Sequence, residues 1–405
     1  MRTLQSAADI VVAGHICLDV IPELRAGNGG LREWLAPGKL VDVGSAMLST
    51  GGAVSNTGLA LHRLGFPVRL MGKVGDDPFG GLILQLLRGH DERMADGMIV
   101  APGESSSYSV VISPPGIDRI FLHHTGTNDT FAAADVNPAS LRGAKLFHFG
   151  YPPLMRGMYE SGGEELERML AEVKSQGLTV SLDLARPDPG SSAGKADWRS
   201  ILSRVLPYVD VFLPSFEEIL FMLRPDTYRE LASRHGTTEL LRFADGELLG
   251  SLADELIGMG VAIAGLKLGG YGFYMRTTDE ENRLLNMGPC APSAVELEGW
   301  RGRELLAPCF LVDAVGTTGA GDCSIAGFLG GLAKGFAPEQ TLLAAAGVGA
   351  CCVERADAIG GVRSWDETQK RIAAGWTKSG ERLPLADWEF DGELGLWERK
   401  RGERG

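Results

Sequence analysis

No G-x-x-x-x-G-K-[ST] stretch occurs in this chain, so it is not built around the lysine-bearing phosphate loop. No G-x-G-x-x-G follows its first apolar run, which sets dinucleotide oxidoreductases aside. Cysteine is scarce. There are six in 405 residues, only Cys351 and Cys352 are adjacent, and no C-x-x-C pair exists. A zinc-ribbon pattern and a disulfide framework are therefore not expected. Residues 1–25 lack a basic start followed by an apolar stretch, so no secretory leader is expected. The most apolar stretches, near 319–334 and 341–353, are too short to span a bilayer. Positive charge is in deficit: 39 Lys and Arg against 52 Asp and Glu give a formal net charge of −13. That balance repels phosphate backbones, so neither nucleic acid nor membrane is an expected partner. A reducing cytoplasm is the expected location, and no internal repeat is evident.

Hydrophobic residues make up 44% of the chain and charged residues 22%, which is globular usage with enough length for a large core. Short apolar runs at 9–14, 68–74, 145–150, 178–184, 209–214 and 261–268 predict strands buried on both faces of a parallel sheet. Helical patterns fall between them, at 56–64, 79–88, 160–176, 217–223 and 240–259. This βαβ order predicts a doubly wound sandwich that binds ligands at the carboxyl ends of its strands. The runs at 40–48, 107–113 and 119–124 alternate instead, and predict a small, half-exposed sheet. Residues 224–250 and 277–306 read as polar surface insertions, and the stretch from 378 as a polar tail whose tryptophans are able to pack back.

The most informative segment is Thr317-Thr318-Gly319-Ala320-Gly321-Asp322, which follows the β-like run 310–312 and opens a long apolar helix. A Gly-rich turn at a helix start aims unpaired N–H groups one way, and the dipole adds positive potential, so an anion is favoured there. A carboxylate in an anion site is repelled by the anion and needs a reason. Asp322 has one as a general base, taking a proton from a hydroxyl as a phosphoryl group arrives. A plain helix cap is the alternative. The stretch Gly51-Gly52-Ala53-Val54-Ser55-Asn56 through Gly65 reads as a turn, a helix and a glycine stop. Its glycine backbone and the Asn56 amide supply the neutral donors and acceptors that a sugar needs.

On these two stretches the chain resembles the ribokinase-like, PfkB-type carbohydrate kinases, which carry G-G-x-x-x-N-x-A-x-x-L-x-x-L-G and D-T-x-G-A-G-D at similar separation. Gly14 to Asp19, Lys73 to Gly80 and Lys267 to Gly272 match further motifs in order, so the resemblance runs from about Ile10 to about Val362. It implies a three-layer α/β sandwich with a mostly parallel central sheet and a small β-sheet lid. The lid would come from about 15–50 and 105–125 within a kinase domain over 1–377, followed by the tail 378–405. It also implies ATP and Mg²⁺ as cofactors, a sugar or sugar-like acceptor, and possible homodimers through the lid.

Site residues follow from chemistry and resemblance together. Carboxylates grip vicinal hydroxyls, so Asp19, just past the first strand, is expected on the acceptor beside Gly51, Gly52 and Asn56, with Asn128 from the loop after a lid strand. Neighbouring His123 and His124 read as a solvated ribbon face rather than a metal site. Gly319, Ala320 and Gly321 are expected to stabilise the transferring phosphoryl group, and Lys267, Gly269, Gly272, Thr318 and Ser215 to line the nucleotide site. Glu218 matches the family glutamate that helps hold the Mg²⁺ water network, although Ser215 replaces the usual asparagine of N-x-x-E. Gly316 stands where the family has an aspartate, so the family's monovalent-cation site is not carried over. A nucleoside kinase and a sugar-binding regulator without catalysis remain as alternative readings.

Overall fold

A computed structural model describes residues 9–24, 37–113 and 120–399. The expected lid segments at 25–36 and 114–119, and both extreme ends of the chain, lie outside the described residues.

The first strand shows why the sandwich forms. β1 (Ile10–Gly14) is buried along its whole length. Ile10 and Val12 pack into one core cluster, Val11 and Ala13 into another. Successive side chains point to opposite faces, so a continuous apolar run needs cover on both sides. Helices Ala53–Arg63, Ala320–Ala333 and Pro338–Cys352 cover one face, and helices Glu164–Ser175, Trp198–Val205, Phe216–Leu223 and Gly246–Gly258 the other.

β1 pairs in parallel with β4 (Val68–Met71) and β9 (Leu146–Gly150). The parallel run continues through β10 (Thr179–Leu182) and β11 (Val211–Phe212) to β12 (Ile263–Lys267). The sheet is wider than the sequence indicates. β13 (Phe273–Thr277), β14 (Glu304–Ala307), β16 (Leu396–Arg399) and β15 (Trp388–Asp391) extend it antiparallel, making ten strands. β14 overlaps the end of a stretch taken as a surface insertion. The other insertion carries helix Pro225–His235, with Tyr228 buried.

The stretch from 378 is likewise more than a tail, because it contains this edge hairpin. Trp388 is buried beside Tyr274, while Arg399 reaches the buried Glu304 carboxylate at 3.5 Å. Two further expectations differ. The run 310–312 forms no strand, since Phe310 makes only an isolated bridge to Lys378. The run 68–74 breaks at Gly72, and its second half, β5 (Lys73–Gly75), pairs instead with β6 (Ile99–Ala101).

The small sheet is present, in the order β3 (Ala46–Gly51), β2 (Cys17–Pro22), β7 (Tyr108–Ile112), β8 (Ile120–His124). The chain leaves β1 at Gly14 and enters β2 three residues later, so this sheet stands over the carboxyl end of the parallel strands.

Candidate active site

The carboxyl ends of β1, β9, β10 and β12 meet the start of helix Ala320–Ala333, and two cavities open there. One, of about 670 Å³, is lined by Ser215, Glu218, Lys267, Gly269, Gly272 and Gly321, among others. The other, of about 840 Å³, runs under the small sheet past His15, Asp19, Gly52, Asn56 and His123. Tyr151, Thr317, Gly319 and Asp322 belong to both.

Asp322 sits in the first helical turn and is 4% exposed. Its Oδ2 accepts from Asn56 Nδ2 at 2.9 Å and its Oδ1 from the Tyr151 hydroxyl at 2.7 Å. Burial pushes its carboxyl above the ordinary value, partly offset by Lys267 and by the hydrogen bonds from Tyr151 and Asn56. A carboxyl raised in this way is a stronger base than a solvated one, which suits general-base work.

The helix begins as the motif predicts. Gly319 is its N-cap at φ 73, and a Cβ there would meet the Ala358 carbonyl oxygen at 2.5 Å, so only glycine serves. Of the three expected anion donors, the Ala320 N–H is turned onto the Thr317 carbonyl at 3.3 Å. Gly321 packs beside the Lys267 stem.

Lys267 ends β12 with its Nζ 2.5 Å from Asp183 Oδ1 and 4.0 Å from Glu218 Oε2. Burial pulls its ammonium down, but Asp183, Glu218 and Asp322 outweigh that and hold it above its ordinary value. Asp183 is fully buried and its carboxyl is pushed well up by burial, while its Oδ2 has no partner among the described residues. Glu218 Oε2 accepts from the Ser215 N–H at 2.6 Å, and the Glu218 N–H donates to Ser215 Oγ at 3.3 Å. This capping box explains why serine is competent at position 215: it starts the helix that carries Glu218 to the cavity. Gly272, at φ 113, lies so close to the Ala307 carbonyl that a side chain would collide with it at 2.0 Å.

On the other side, Asp19 lies inside β2 rather than at the end of β1. Its carboxylate packs over Gly51 and accepts from Cys17 Sγ at 3.4 Å, and burial raises it. Gly52 caps helix Ala53–Arg63 at φ 89, against the His15 ring.

Two assignments move. Asn128 is fully buried, with Oδ1 accepting from the Ile16 N–H at 3.1 Å and Nδ2 donating to the Ile16 and Thr125 carbonyls at 2.9 and 3.0 Å. Its amide is spent clamping backbone, and Thr125 and Asp129 line the cavity in its place. Thr318 borders the cavity under the small sheet, not the one around Lys267.

Tyr151 and Asp183 escaped sequence reasoning. Asp183 is hidden in an apolar strand, and Tyr151 is a lone aromatic after one. Tyr151 carries a signal only in three dimensions, because it is a non-glycine residue at φ 66 whose hydroxyl reaches Asp322 across 171 positions. Tyr151→Phe removes a donor to an ionised carboxylate, a bond worth about 1.5–3 kcal/mol. The acid limb of the rate profile is therefore expected to move up by about one to two pH units. An unmoved limb would show that the hydroxyl does not tune Asp322.

The pfkB family carbohydrate kinase model matches residues 7–365. A protein of Archaeoglobus fulgidus named as an uncharacterized sugar kinase is 26% identical over 297 residues, 73% of this chain and 95% of its own length. A rice (Oryza sativa subsp. japonica) fructokinase-2 is 24% identical over 59% of this chain and 68% of its own. The crystal structure of a fructokinase with bound ATP from Xylella fastidiosa superposes with a TM-score of 0.64 at 18% identity, covering 91% of this chain and 99% of that one.

Proposed function

This chain belongs to the pfkB family of carbohydrate kinases, and on that footing we propose that it transfers the γ-phosphoryl group of ATP to a hydroxyl of a sugar or sugar-like molecule, with Asp322 as the general base. The observation that carries this reading is the position of Asp322, on the wall shared by the two cavities. An acceptor under the small sheet presents its hydroxyl to Asp322 from one side. The triphosphate reaches the same carboxylate from the other, along Lys267 and the 319–321 turn. The acceptor oxygen forms the new bond to phosphorus, the bond to the ADP oxygen breaks, and Asp322 holds the proton. The helix start and Lys267 offset charge on the transferring group.

Mg²⁺ prefers oxygen ligands and keeps its waters. Glu218, which lines the cavity beside Lys267, fits that preference and would hold it through water. When bound, it supplies neutralisation of the β- and γ-phosphate oxygens. The lid strands, from the segments 15–50 and 105–125 of a kinase domain spanning 1–377, exclude water from the transfer. Their exposed Met47, Leu48 and Leu122 suit a homodimer through the lid. No helix among the described residues is long and apolar enough to cross a membrane, and the location proposed is the cytoplasm.

ADP release with a panel of pentoses, hexoses and nucleosides tests the reading. Turnover on a sugar is expected. Turnover on nucleosides alone would make it a nucleoside kinase, and none on any member would leave a non-catalytic binder. With the acceptor in hand, Asp19→Ala is expected to raise its KM at least tenfold with the KM for ATP unchanged, since a hydrogen bond from hydroxyl to carboxylate contributes about 1.5–3 kcal/mol. If the ATP constant moves instead, the two cavities are assigned the wrong way round.

A monovalent cation is not expected to matter. A Cβ at Gly316 would sit 3.0–3.2 Å from the backbone of Arg355 and Ala356, so the family's aspartate has no room without a shift. Activity is expected to need Mg²⁺ but to change little when K⁺ replaces Na⁺ at constant ionic strength. A several-fold stimulation specific to K⁺ would contradict this.

A further inference from the structure

The cavity under the small sheet carries a group of side chains that phosphoryl transfer does not use. His15 follows β1, Cys17 opens β2, and His123 comes from β8. One imidazole nitrogen from each histidine and the Cys17 sulfur lie within 4.8 Å of one another. The two Nε2 atoms face each other at 3.2 Å. A tetrahedral ion held at about 2.0–2.1 Å by two imidazoles keeps those nitrogens roughly 3.3–3.4 Å apart. The rings therefore already stand close to the separation such an ion imposes.

Supporting groups are in place. Ser109 Oγ lies 3.0 Å from His123 Nδ1, where it accepts from an Nδ1–H and leaves the Nε2 lone pair for an ion. Asp19 Oδ1, 3.4 Å from the Cys17 sulfur, offers a fourth, oxygen ligand. His15, Cys17, Asp19, Ser109 and His123 all line the 840 Å³ cavity, so an ion can enter from solvent. Two imidazoles and a thiol select against Mg²⁺, which wants oxygen, and for a borderline-soft divalent ion such as Zn²⁺.

We propose that His15, Cys17 and His123, with Asp19, form a binding site for a Zn²⁺-class ion in the acceptor cavity, and that its occupancy blocks the acceptor. Binding converts the thiol to a thiolate and releases its proton to solvent. The blocking half rests on the proposed acceptor site, whereas the binding half stands apart from it.

The full chain, stripped with a chelator, is titrated with Co²⁺ as a spectroscopic probe and with Zn²⁺ against a chromophoric chelator. A thiolate-to-cobalt charge-transfer band saturating at one ion per chain is expected. It should vanish in Cys17→Ser, and Zn²⁺ affinity should fall at least 10-fold in His123→Ala, since even outer partners of metal ligands are worth about 10–100-fold. His123 stands on a lid strand, so that variant is expected to fold, and unchanged melting checks this. No band, or the same band in Cys17→Ser, overturns the site. In the kinase assay Zn²⁺ should raise the KM of the acceptor and leave kcat at saturating acceptor unchanged, with the inhibition weakened in Cys17→Ser. Zn²⁺ that binds at the site yet lowers kcat without moving that KM overturns the blocking half alone.

Discussion

Asp322→Asn is expected to lower kcat by about 10²–10⁴-fold, the range a positioned acid–base group supplies, while nucleotide affinity holds or improves. The substitution keeps the size of the side chain. The Asn56 amide is able to turn its oxygen toward the new NH₂, and the Tyr151 hydroxyl is able to accept as well as donate, so both partners of the wild-type carboxylate keep a bond. Removing the charge also removes a repulsion from the triphosphate.

The same variant is expected to melt higher than wild type at neutral pH. Burial raises the Asp322 carboxyl above its ordinary value. A group raised in this way contributes its stability fully below the unfolded value near 3.8, and that contribution is lost as pH rises through the folded value. Above the folded value the charged carboxylate therefore costs stability, which asparagine relieves. Full turnover in Asp322→Asn would end the general-base assignment. A lower melting temperature would show that the carboxylate is better satisfied than its burial implies.

Lys267→Met is expected to cost about 3–5 kcal/mol of stability, as when one partner is removed from a buried ion pair, and to abolish measurable turnover. Asp183 is fully buried 2.5 Å from the ammonium, with Glu218 4.0 Å away. Without the cation, both carboxylates and Asp322 face one another with no compensating charge. Their protonated forms become favoured, so the penalty should shrink as pH falls. Since Lys267 is raised in the folded state, its own contribution is present at neutral pH and is lost only as pH climbs through the folded value, above 10.5. Urea midpoints measure the loss. A double variant with Asp183→Asn should recover most of the stability and none of the activity, because the uncompensated charge is gone but the phosphoryl group still lacks its cation. A wild-type midpoint in the single variant would mean the pair does not hold the site together.

The extent of the fold that was legible follows from where its signal lies. β1, β9, β10 and β12 are buried on both faces, so their apolar runs stand out in one dimension. β13 and β14 pair antiparallel across an irregular stretch of acids, glycine and proline. The edge hairpin hides Trp388 but shows solvent Glu389 and Phe390. Neither has a periodicity that marks it. Asn128 was taken for a substrate ligand because a polar residue after a lid strand suits that role. Only its hydrogen bonds to Ile16, 112 positions away, show the amide already used.

By itself the sequence determined the βαβ order, the glycine turn at 317–322 and its aspartate, and the Gly-Gly helix start at 51–56. All three are local, set by side-chain period, φ preferences and unpaired helix-terminal groups. The tertiary structure alone decided which side chains meet. Asn56 reaches Asp322 across 266 positions and Tyr151 across 171. Lys267 finds Asp183 across 84, and His15 faces His123 across 108. Such pairings depend on how sheet, helices and lid pack, and no local pattern in the chain encodes which distant loop arrives at the carboxyl end of which strand.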